Sequence, residues 1–333
     1  MLDPVTLVVI GILLALAFDF GNGMHDASNA ISTVVATGVL TLRQAVVLSA
    51  FFNFVAAFVF TTAVAHTIGS GIVHASAVTP LMVLAALVGA IFWVYWTSFV
   101  GMPISSSHSL IGGLLGAGIA GAGLSSINIA SIATVAAFIF VAPILGMVGA
   151  IAFSIIILHF IKRESPGKVN DHFKKLQLLS ASVYSLGHGT NDAQKTMGII
   201  SILLFSGGML GPEFYIPFWV VILSHTTIAI GTLAGGASII KTMGMKLTRL
   251  RPIHGFCAET SGAGVIIGCT LLGIPVSTTH VIAGSIAGVG VSRRASAVDW
   301  GLFRKIVAAW FLTLPLTAAI GGITYLALKA ALG

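Results

Sequence analysis

Charged residues are scarce in this chain: 8% of its 333 residues are charged, whereas 57% are hydrophobic. A soluble domain carries about 25% charged residues, so the composition excludes a sizeable water-soluble domain. The length accommodates roughly ten crossings of about 20 apolar residues each, joined by short loops. We therefore expect lipid to be the solvent of most of the chain.

Cysteine is nearly absent as well. Cys257 and Cys269 are the two cysteines, and in a helix they would stand about 18 Å apart, too far for a disulfide bond.

The N-terminus lacks a basic segment and a cleavage site, so the first apolar run is expected to remain as a membrane span. The net charge of +7 rests on sparse cations confined to short loops, which argues against a nucleic-acid partner.

Two polar motifs each occur twice, in the same order. The first motif, Gly21-Asn-Gly-Met-His-Asp-Ala-Ser-Asn29, returns 166 residues later as Gly187-His-Gly-Thr-Asn-Asp-Ala-Gln-Lys195. The second, Gly101-Met-Pro-Ile-Ser-Ser-Ser-His108, returns 172 residues later as Gly273-Ile-Pro-Val-Ser-Thr-Thr-His280. Two unrelated motifs at nearly one offset indicate an internal duplication. We predict a first transmembrane repeat over 1–161, a cytoplasmic linker over 162–175 and a second repeat over 176–333.

The basic residues suggest how the two repeats are oriented. Those in loops lie at Arg43, in the linker, in the 235–252 loop and between 293 and 305, whereas the loops at 66–80, 124–131 and 206–214 have none. Placing every basic loop in the cytoplasm turns the second repeat upside down relative to the first and leaves both termini outside. Such inverted repeats are typical of secondary transporters.

The predicted fold is an all-α, polytopic transmembrane helical bundle with two inverted-topology repeats and about 10–12 membrane segments. Some segments should be broken helices or hairpins. The apolar stretch 5–40 is too long for one straight crossing, and Gly21-Asn22-Gly23 lies in its middle. We therefore expect two helical pieces joined there by an irregular turn, which survives at membrane depth only beside a cavity or inside protein.

Five charged residues fall inside apolar stretches. Each costs about 2.5–3.5 kcal/mol at a helix centre, so a function or a partner is expected. Asp26 and Asp192 occupy equivalent places in the repeats and are candidate cation-binding residues, with a structural pair between Asp192 and Lys195 as the alternative. Glu259 is a third candidate, whereas Asp19 could equally lie near the membrane surface.

The second motif predicts an anion site. In each copy a proline precedes a run of hydroxyl residues that opens a new apolar segment, namely Ser105, Ser106 and Ser107, then Ser277, Thr278 and Thr279. Free N–H groups and the dipole at a helix start attract anions, although an ordinary helix cap would explain one copy. An oxyanion entering beside aspartates is repelled unless cations or protons accompany it, which favours cotransport.

These residues also resemble a known family. Asn22–Asn29, His188–Lys195, Pro103–His108 and Pro275–His280 are similar to the signatures of the Pit family of inorganic phosphate transporters, over essentially the whole chain. The resemblance implies cation-coupled phosphate symport by alternating access, with phosphate held between the repeats. Members use sodium or protons, and some bacterial ones carry phosphate as a neutral complex with Mg²⁺ or another divalent metal.

The resemblance also assigns residues. The implied cation-coupling positions are Asp26, Asn29, Asn191, Asp192, Glu259 and His25, and Na⁺ would bind Asp26, Asp192 and Glu259. The implied phosphate contacts are the six hydroxyl residues of the second motif together with Lys195. His25 and Lys195 depart from the common pattern and resemble the bacterial proton-coupled, low-affinity branch, since histidine takes up protons near physiological pH. Protons are therefore favoured over sodium, although Glu259 favours sodium.

Three other functions compete with phosphate symport. A sulfate or other oxyanion permease would use the same fold, and a cation antiporter or channel would use the aspartates but leave the hydroxyl caps unexplained. An enzyme is not expected, because Ser107 and His108 diverge by about 100° on a helix and do not face each other. The expected partners are inorganic phosphate, a coupling cation and the lipid bilayer of the cell membrane. The sequence leaves the oligomeric state open, with a homo-oligomer as one option.

Overall fold

The computed structural model describes residues 3–59 and 61–332, which are almost entirely helical. The helices are α1 Pro4–Ala36, α2 Leu42–Val55, α3 Ala63–Gly71, α4 Pro80–Val100, α5 Ser106–Ala122, α6 Ile129–Ile161, α7 Pro166–Ser206, α8 Phe218–Ala234, α9 Ala237–Ile240, α10 Pro252–Leu271, α11 Thr278–Arg293 and α12 Trp300–Leu332. A π-helical turn, Lys241–Lys246, continues α9. This confirms the prediction of an all-α, polytopic bundle.

The surface of the bundle is apolar, whereas its interior holds many polar side chains beside two hydrophobic clusters. Large hydrophobic side chains lie on the outside, with Phe99 86%, Phe160 78% and Leu272 75% exposed. Asp26, Asp192 and many hydroxyl residues are buried instead. Water would penalise such an outer surface, whereas lipid solvates it.

Four of the described helices, α1, α4, α6 and α12, are long and apolar enough to cross a membrane alone. Two bent pairs bring this number to six if each pair is one span. The segment Leu42–Phe58 meets α3 at 81°, and α8 meets the segment Ser238–Lys246 at 72°. Broken helices are therefore present, as predicted, but they lie at these bends and at the hairpins described next.

Two helical hairpins carry the second motif at their tips. Gly101, with φ +70°, ends α4, and α5 begins at Ser106. Gly273, with φ +69°, follows α10, and α11 begins at Thr278. A left-handed residue ends a helix at little cost only when it is glycine. In both copies the motif therefore reverses the chain and starts a new helix.

The open ends of the two hairpins lie at opposite ends of α6. A tight turn joins the end of α5 to the start of α6, with the Asn128 N–H bonded to the Ile72 carbonyl at 3.0 Å. The start of α10, at Arg251 and Pro252, shares a cleft with Ile161 at the other end of α6. Because 33 helical residues span about 50 Å, the hairpins enter the bundle from opposite ends.

Each hairpin helix packs against the last helix of the opposite half of the chain. The hairpin helix α5 packs against α12, and α11 packs against α6. In the same way α1 contacts α4 and α8, while α7 contacts α10 and α2. A short bond near the start of α12, from the Asp299 N–H to the Leu247 carbonyl at 2.9 Å, matches the one at Asn128. Each half therefore completes its packing with elements of the other.

The predicted turn at Gly21-Asn22-Gly23 is wrong, because α1 runs through the motif without interruption, as α7 does through its copy. The glycines permit close helix packing instead. A Cβ atom on Gly23 would lie 2.3 Å from the Ile228 carbonyl oxygen of α8, and one on Gly189 would lie 2.7 Å from the Asn53 Cα of α2. Small residues at such contacts let helix backbones approach closely in membranes.

Gly23→Ala should destabilise the protein, although alanine is intrinsically the better helix former, because the new methyl group collides with the α8 backbone. The matched control is Gly264→Ala, on an exposed face of α10 with no atom within 4 Å of the added Cβ. We expect unfolding in detergent to show a lower midpoint for Gly23→Ala and an unchanged or higher midpoint for Gly264→Ala. Equal tolerance of both changes would restore the interpretation of Gly23 as a turn residue.

Candidate functional site

The site lies where the two hairpin tips meet. Ser105 caps α5 by accepting the His108 N–H at 3.1 Å, and Ser277 caps α11 by accepting the His280 N–H at 3.3 Å. The Ser107 hydroxyl donates across the junction to the Val276 carbonyl at 3.3 Å. The N-termini of two helices of 17 and 16 residues therefore converge on one region. Helix N-termini carry partial positive charge and free N–H groups that favour anions.

Asp26 of α1 is bonded to both hairpins. Its carboxylate accepts the Ser106 hydroxyl at 2.8 Å and the Thr279 hydroxyl at 3.2 Å. Asn29, one turn further along α1, donates from Nδ2 to Thr279 Oγ1 at 2.9 Å and to Thr278 Oγ1 at 3.3 Å. The structure thus brings together Asp26, Asn29 and three of the predicted phosphate-binding hydroxyls.

Asp192 of α7 has a different set of partners. Lys195 Nζ donates to one carboxylate oxygen. The Thr278 hydroxyl donates to the other oxygen at 3.3 Å, and His188 Nε2 lies 3.2 Å from it. Lys195 Nζ also lies 3.4 Å from the Val276 carbonyl at the second hairpin tip. Lys195 therefore ties α7 to the hairpin, in addition to its predicted place among the phosphate contacts.

Three residues form a cluster able to hold a cation. Asp26, His188 and Asp192 are buried, and each offers a ligand atom within 4.8 Å of the others. His188 was missed in the sequence, although it stands four residues before Asp192 on the same helical face. Asn53 of α2 fixes its ring, with Oδ1 3.1 Å from Nδ1. No sequence pattern pointed to Asn53, because its role arises only from the packing of α2 on α7.

Glu259 does not join this cluster. Its carboxylate accepts hydrogen bonds from Thr33 at 2.5 Å, from Gln177 at 2.9 Å and from Ser180. Thr33 lies two turns, or about 10 Å, beyond Asp26 along α1. The predicted acids therefore form two sites along the α1–α7 contact, one with Asp26 and Asp192 and one with Glu259.

His25 and Asn191 occupy equivalent positions beside the cluster, with His25 Nε2 4.0 Å from Asp26 Oδ1. The Ile104 N–H donates to His25 Nε2 at 3.3 Å, so Nδ1 carries the hydrogen and bonds Ser98 Oγ at 2.7 Å. Both ring nitrogens are thus engaged in holding the first hairpin tip. Asn191 donates to Thr270 Oγ1 at 2.9 Å, and its own Oδ1 has no hydrogen-bond partner. His25 is placed to position the hairpin in addition to its predicted coupling role.

The site is sealed from solvent in this conformation. The six hydroxyl residues of the second motif are at most 3% exposed, and Asp26, Asn29, Asp192 and Lys195 are at most 1% exposed. Two carboxylates and one ammonium share this volume, so one negative charge lacks a cationic partner among them. Buried charges are tolerated only when they are paired and hydrogen-bonded. The arrangement therefore suits an anion and a compensating cation together.

Asp19 is fully buried inside the bundle, on α1. Within the described part of the chain, both of its carboxylate oxygens lack a hydrogen-bond partner, as do both polar atoms of Asn22 one turn away. A buried carboxylate without donors is costly. Asp19 is thus a second costly buried acid on α1, two turns from Asp26.

These features define a multi-spanning helical membrane protein whose centre holds buried charged side chains. Residues 22–321 match the model of the phosphate transporter family, and the chain belongs to that family. It is 53% identical over 321 residues to a probable low-affinity inorganic phosphate transporter of Rhizobium meliloti, covering 96% of each chain. It is 42% identical to a protein of the same description from Bacillus subtilis, covering 97% of each.

A solved structure of a sodium-dependent phosphate transporter has the same fold. It is 26% identical in sequence, its TM-score is 0.88, and the match covers 98% of this chain and 100% of that one. The relatives are named as transporters rather than enzymes. The family predicted from the four motifs is therefore confirmed.

Asp19→Asn should stabilise the protein, because the amide keeps the shape of the side chain and removes a buried charge that has no donor. We expect the free energy of unfolding to rise by about 1–3 kcal/mol at mildly alkaline pH. The control is Asp171→Asn, whose exposed side chain pairs with Lys174 at 3.8 Å and should change stability by less than about 0.5 kcal/mol. A loss of stability in Asp19→Asn, measured by SDS titration, would mean that the carboxylate has a partner in the membrane.

Proposed function

We propose that this protein imports inorganic phosphate together with a cation by alternating access. The observation that carries the proposal is the convergence of two helix N-termini and several hydroxyls on the buried carboxylates Asp26 and Asp192. The donors suit a tetrahedral oxyanion. The carboxylates repel that anion unless positive charge enters with it.

The same hydroxyls serve the carboxylates and the anion. Ser106 and Thr279 donate to Asp26, and Thr278 donates to Asp192. When phosphate takes these hydrogens, Asp26 loses its hydrogen bonds and becomes a buried, unsatisfied charge. A cation or proton must then compensate it. Anion and cation binding are thereby linked through shared donors, which is the physical basis of the proposed coupling.

Phosphate would be held by the hydroxyls and cap N–H groups of both hairpins. Ser105 and Ser277 contribute chiefly as helix caps, since their oxygens accept the N–H groups of His108 and His280. Ser107 lies at the junction of the tips. Among the described residues, Lys195 is the lysine buried beside the site, and it supplies further attraction for the anion.

We infer that the repeats 1–161 and 176–333 are inverted and that the linker 162–175 is cytoplasmic, with both termini outside. The entry of the hairpins from opposite ends of the bundle supports this topology. The packing of each hairpin helix against the last helix of the opposite half supports it as well. Alternating access then follows if each hairpin opens the shared site to its own side of the membrane.

Protons are the favoured coupling ion and sodium is the alternative. Lys195 already supplies a positive charge beside Asp192. Fewer metal cations are then needed to balance the two carboxylates, which favours protons. The sodium-dependent structural relative supports sodium, and so does the acid at Glu259, which the family resemblance links to sodium-coupled members. A neutral complex with Mg²⁺ or another divalent metal would also satisfy the charge balance. We place the protein in the cell membrane, with a homo-oligomer as one option for its assembly.

Reconstituted liposomes test the proposal. Labelled phosphate uptake is measured under a proton gradient, a sodium gradient or neither, with and without Mg²⁺ and with excess sulfate. We expect a cation gradient to drive uptake, sulfate to compete poorly, and Asp26→Asn and Asp192→Asn each to abolish coupled uptake in a folded protein. Uptake that ignores every gradient and yields fully to sulfate would instead support an uncoupled oxyanion permease.

Ser106→Ala should weaken phosphate uptake strongly, because it removes a hydroxyl shared between Asp26 and the anion. Loss of one such donor to a charged group costs about 1.5–3 kcal/mol, so KM should rise roughly tenfold or more. Ser109→Ala is the matched control, since this buried hydroxyl on the same helix donates to the Ser105 carbonyl at 3.0 Å. Initial uptake rates over a range of phosphate concentrations give the KM of each variant for comparison with the wild type. A Ser109→Ala loss equal to that of Ser106→Ala would point to general damage to α5.

A further inference from the structure

Lys195 is fully buried in the membrane domain and is among the largest side chains with no exposed surface. It stands on α7, one turn after Asp192. Its ammonium donates to Asp192 Oδ1 and lies 3.4 Å from the Val276 carbonyl oxygen. A carboxylate oxygen and a backbone carbonyl oxygen are also the ligands that a small hard cation takes in proteins.

The duplicated motif shows what stands at the equivalent position without a lysine. Asn29 has the same relation to Asp26, since both pairs are separated by three residues and offset by 166. Asn29 carries no charge and bonds the Thr278 and Thr279 hydroxyls. Asp26 accordingly has only hydroxyl donors among its hydrogen bonds. One acid of the equivalent pair has a resident positive charge, and the other does not.

We propose that the Lys195 ammonium is a tethered cation that occupies the position of a mobile monovalent cation beside Asp192. The inference rests on the proposed cation-coupled transport and names the device that sets its ion requirement. Because the ammonium is covalently attached, Asp192 stays neutralised through the whole cycle. Asp26 remains the acid that must receive a mobile charge. The chain therefore needs one fewer transported cation for each phosphate than a chain with an amide at position 195.

The geometry also connects this cation to the second hairpin. Val276 at the hairpin tip accepts from Lys195 Nζ at 3.4 Å and from the Ser107 hydroxyl at 3.3 Å. An ammonium has three N–H donors, and two of them are directed at Asp192 and Val276. The third is free for an oxygen of the bound anion. Lys195 thus replaces a free cation while still contributing to phosphate binding.

A simple structural ion pair is the alternative, and it predicts a different behaviour for one variant. Lys195→Asn reproduces at Asp192 the amide that Asn29 provides near Asp26. If the ammonium stands in for a mobile cation, the variant leaves a vacant cation position with its oxygen ligands in place. If the pair is only structural, the variant loses stability and no cation restores it.

The test uses the purified full-length protein in detergent without phosphate. The thermal midpoint is measured while NaCl replaces choline chloride at constant ionic strength. We expect Lys195→Asn to unfold at a lower temperature than the wild type in choline and to gain stability saturably with sodium. This gain should exceed any shift of the wild type, as mass action requires for a ligand of the folded state. Lys195→Asn/Asp192→Asn should lose the extra gain, and Lys195→Arg should behave as the wild type does.

A transport measurement checks the stoichiometry. In liposomes, the ratio of labelled sodium to labelled phosphate taken up should be higher by about one in Lys195→Asn than in the wild type, the one mobile cation that the tethered charge replaces. Lys195→Gln provides a second variant with the same expectation. The inference is overturned if neither variant shows sodium-dependent stabilisation beyond the wild type. It is also overturned if both fail to accumulate folded in cells grown with ample sodium, since the ion then does not replace the ammonium.

The two parts of the experiment separate this inference from the proposed function. Sodium stabilisation is measured without phosphate, so its absence contradicts the tethered cation and leaves phosphate transport standing. Conversely, sodium could stabilise Lys195→Asn while the wild type transports no phosphate. That result would support the cation position and contradict the proposed symport.

Discussion

Two carboxylates, Asp26 and Asp192, lie buried at the centre of a protein whose surroundings are lipid. The other side chains of the site stabilise these buried carboxylates. An isolated charge in such an environment is very costly, so each acid must be paired and hydrogen-bonded. Asp26 takes hydroxyl hydrogens from both hairpins, and Asp192 takes an ammonium, a hydroxyl and a nearby imidazole. A second charged group can enter only if these bonds are redistributed. This constraint is the physical basis of the proposed response of the site to ions.

The helices supply the geometry that the carboxylates require. Glycines within the first motif let α1 approach α8 and let α7 approach α2, which brings Asp26 and Asp192 close together. The hairpins then bring two helix N-termini and their hydroxyls to the same place from opposite ends of the bundle. The two tips contact each other there, through the bond from the Ser107 hydroxyl to the Val276 carbonyl.

Much of this was predictable from the sequence, because duplication and hydropathy are local patterns. The all-α fold, the family and the meeting of the second-motif hydroxyls with Asp26 and Asp192 were all anticipated. Helix continuity at Gly23 was not, since a glycine that permits close packing looks the same in sequence as one that forms a turn. The separation of Glu259 from the aspartates and the contact of Asn53 with His188 depend on how distant helices pack, which no single segment encodes.

The central claim is that anion and cation binding are coupled through the donors shared with Asp26. Equilibrium binding of labelled phosphate to the purified protein, measured over a range of proton and sodium concentrations, tests it most directly. Linkage requires each ligand to raise the affinity of the other by the same factor. The account predicts that phosphate affinity rises with the coupling cation in the wild type and becomes independent of it in Asp26→Asn. Phosphate affinity that is constant across all cation concentrations in the wild type would contradict it.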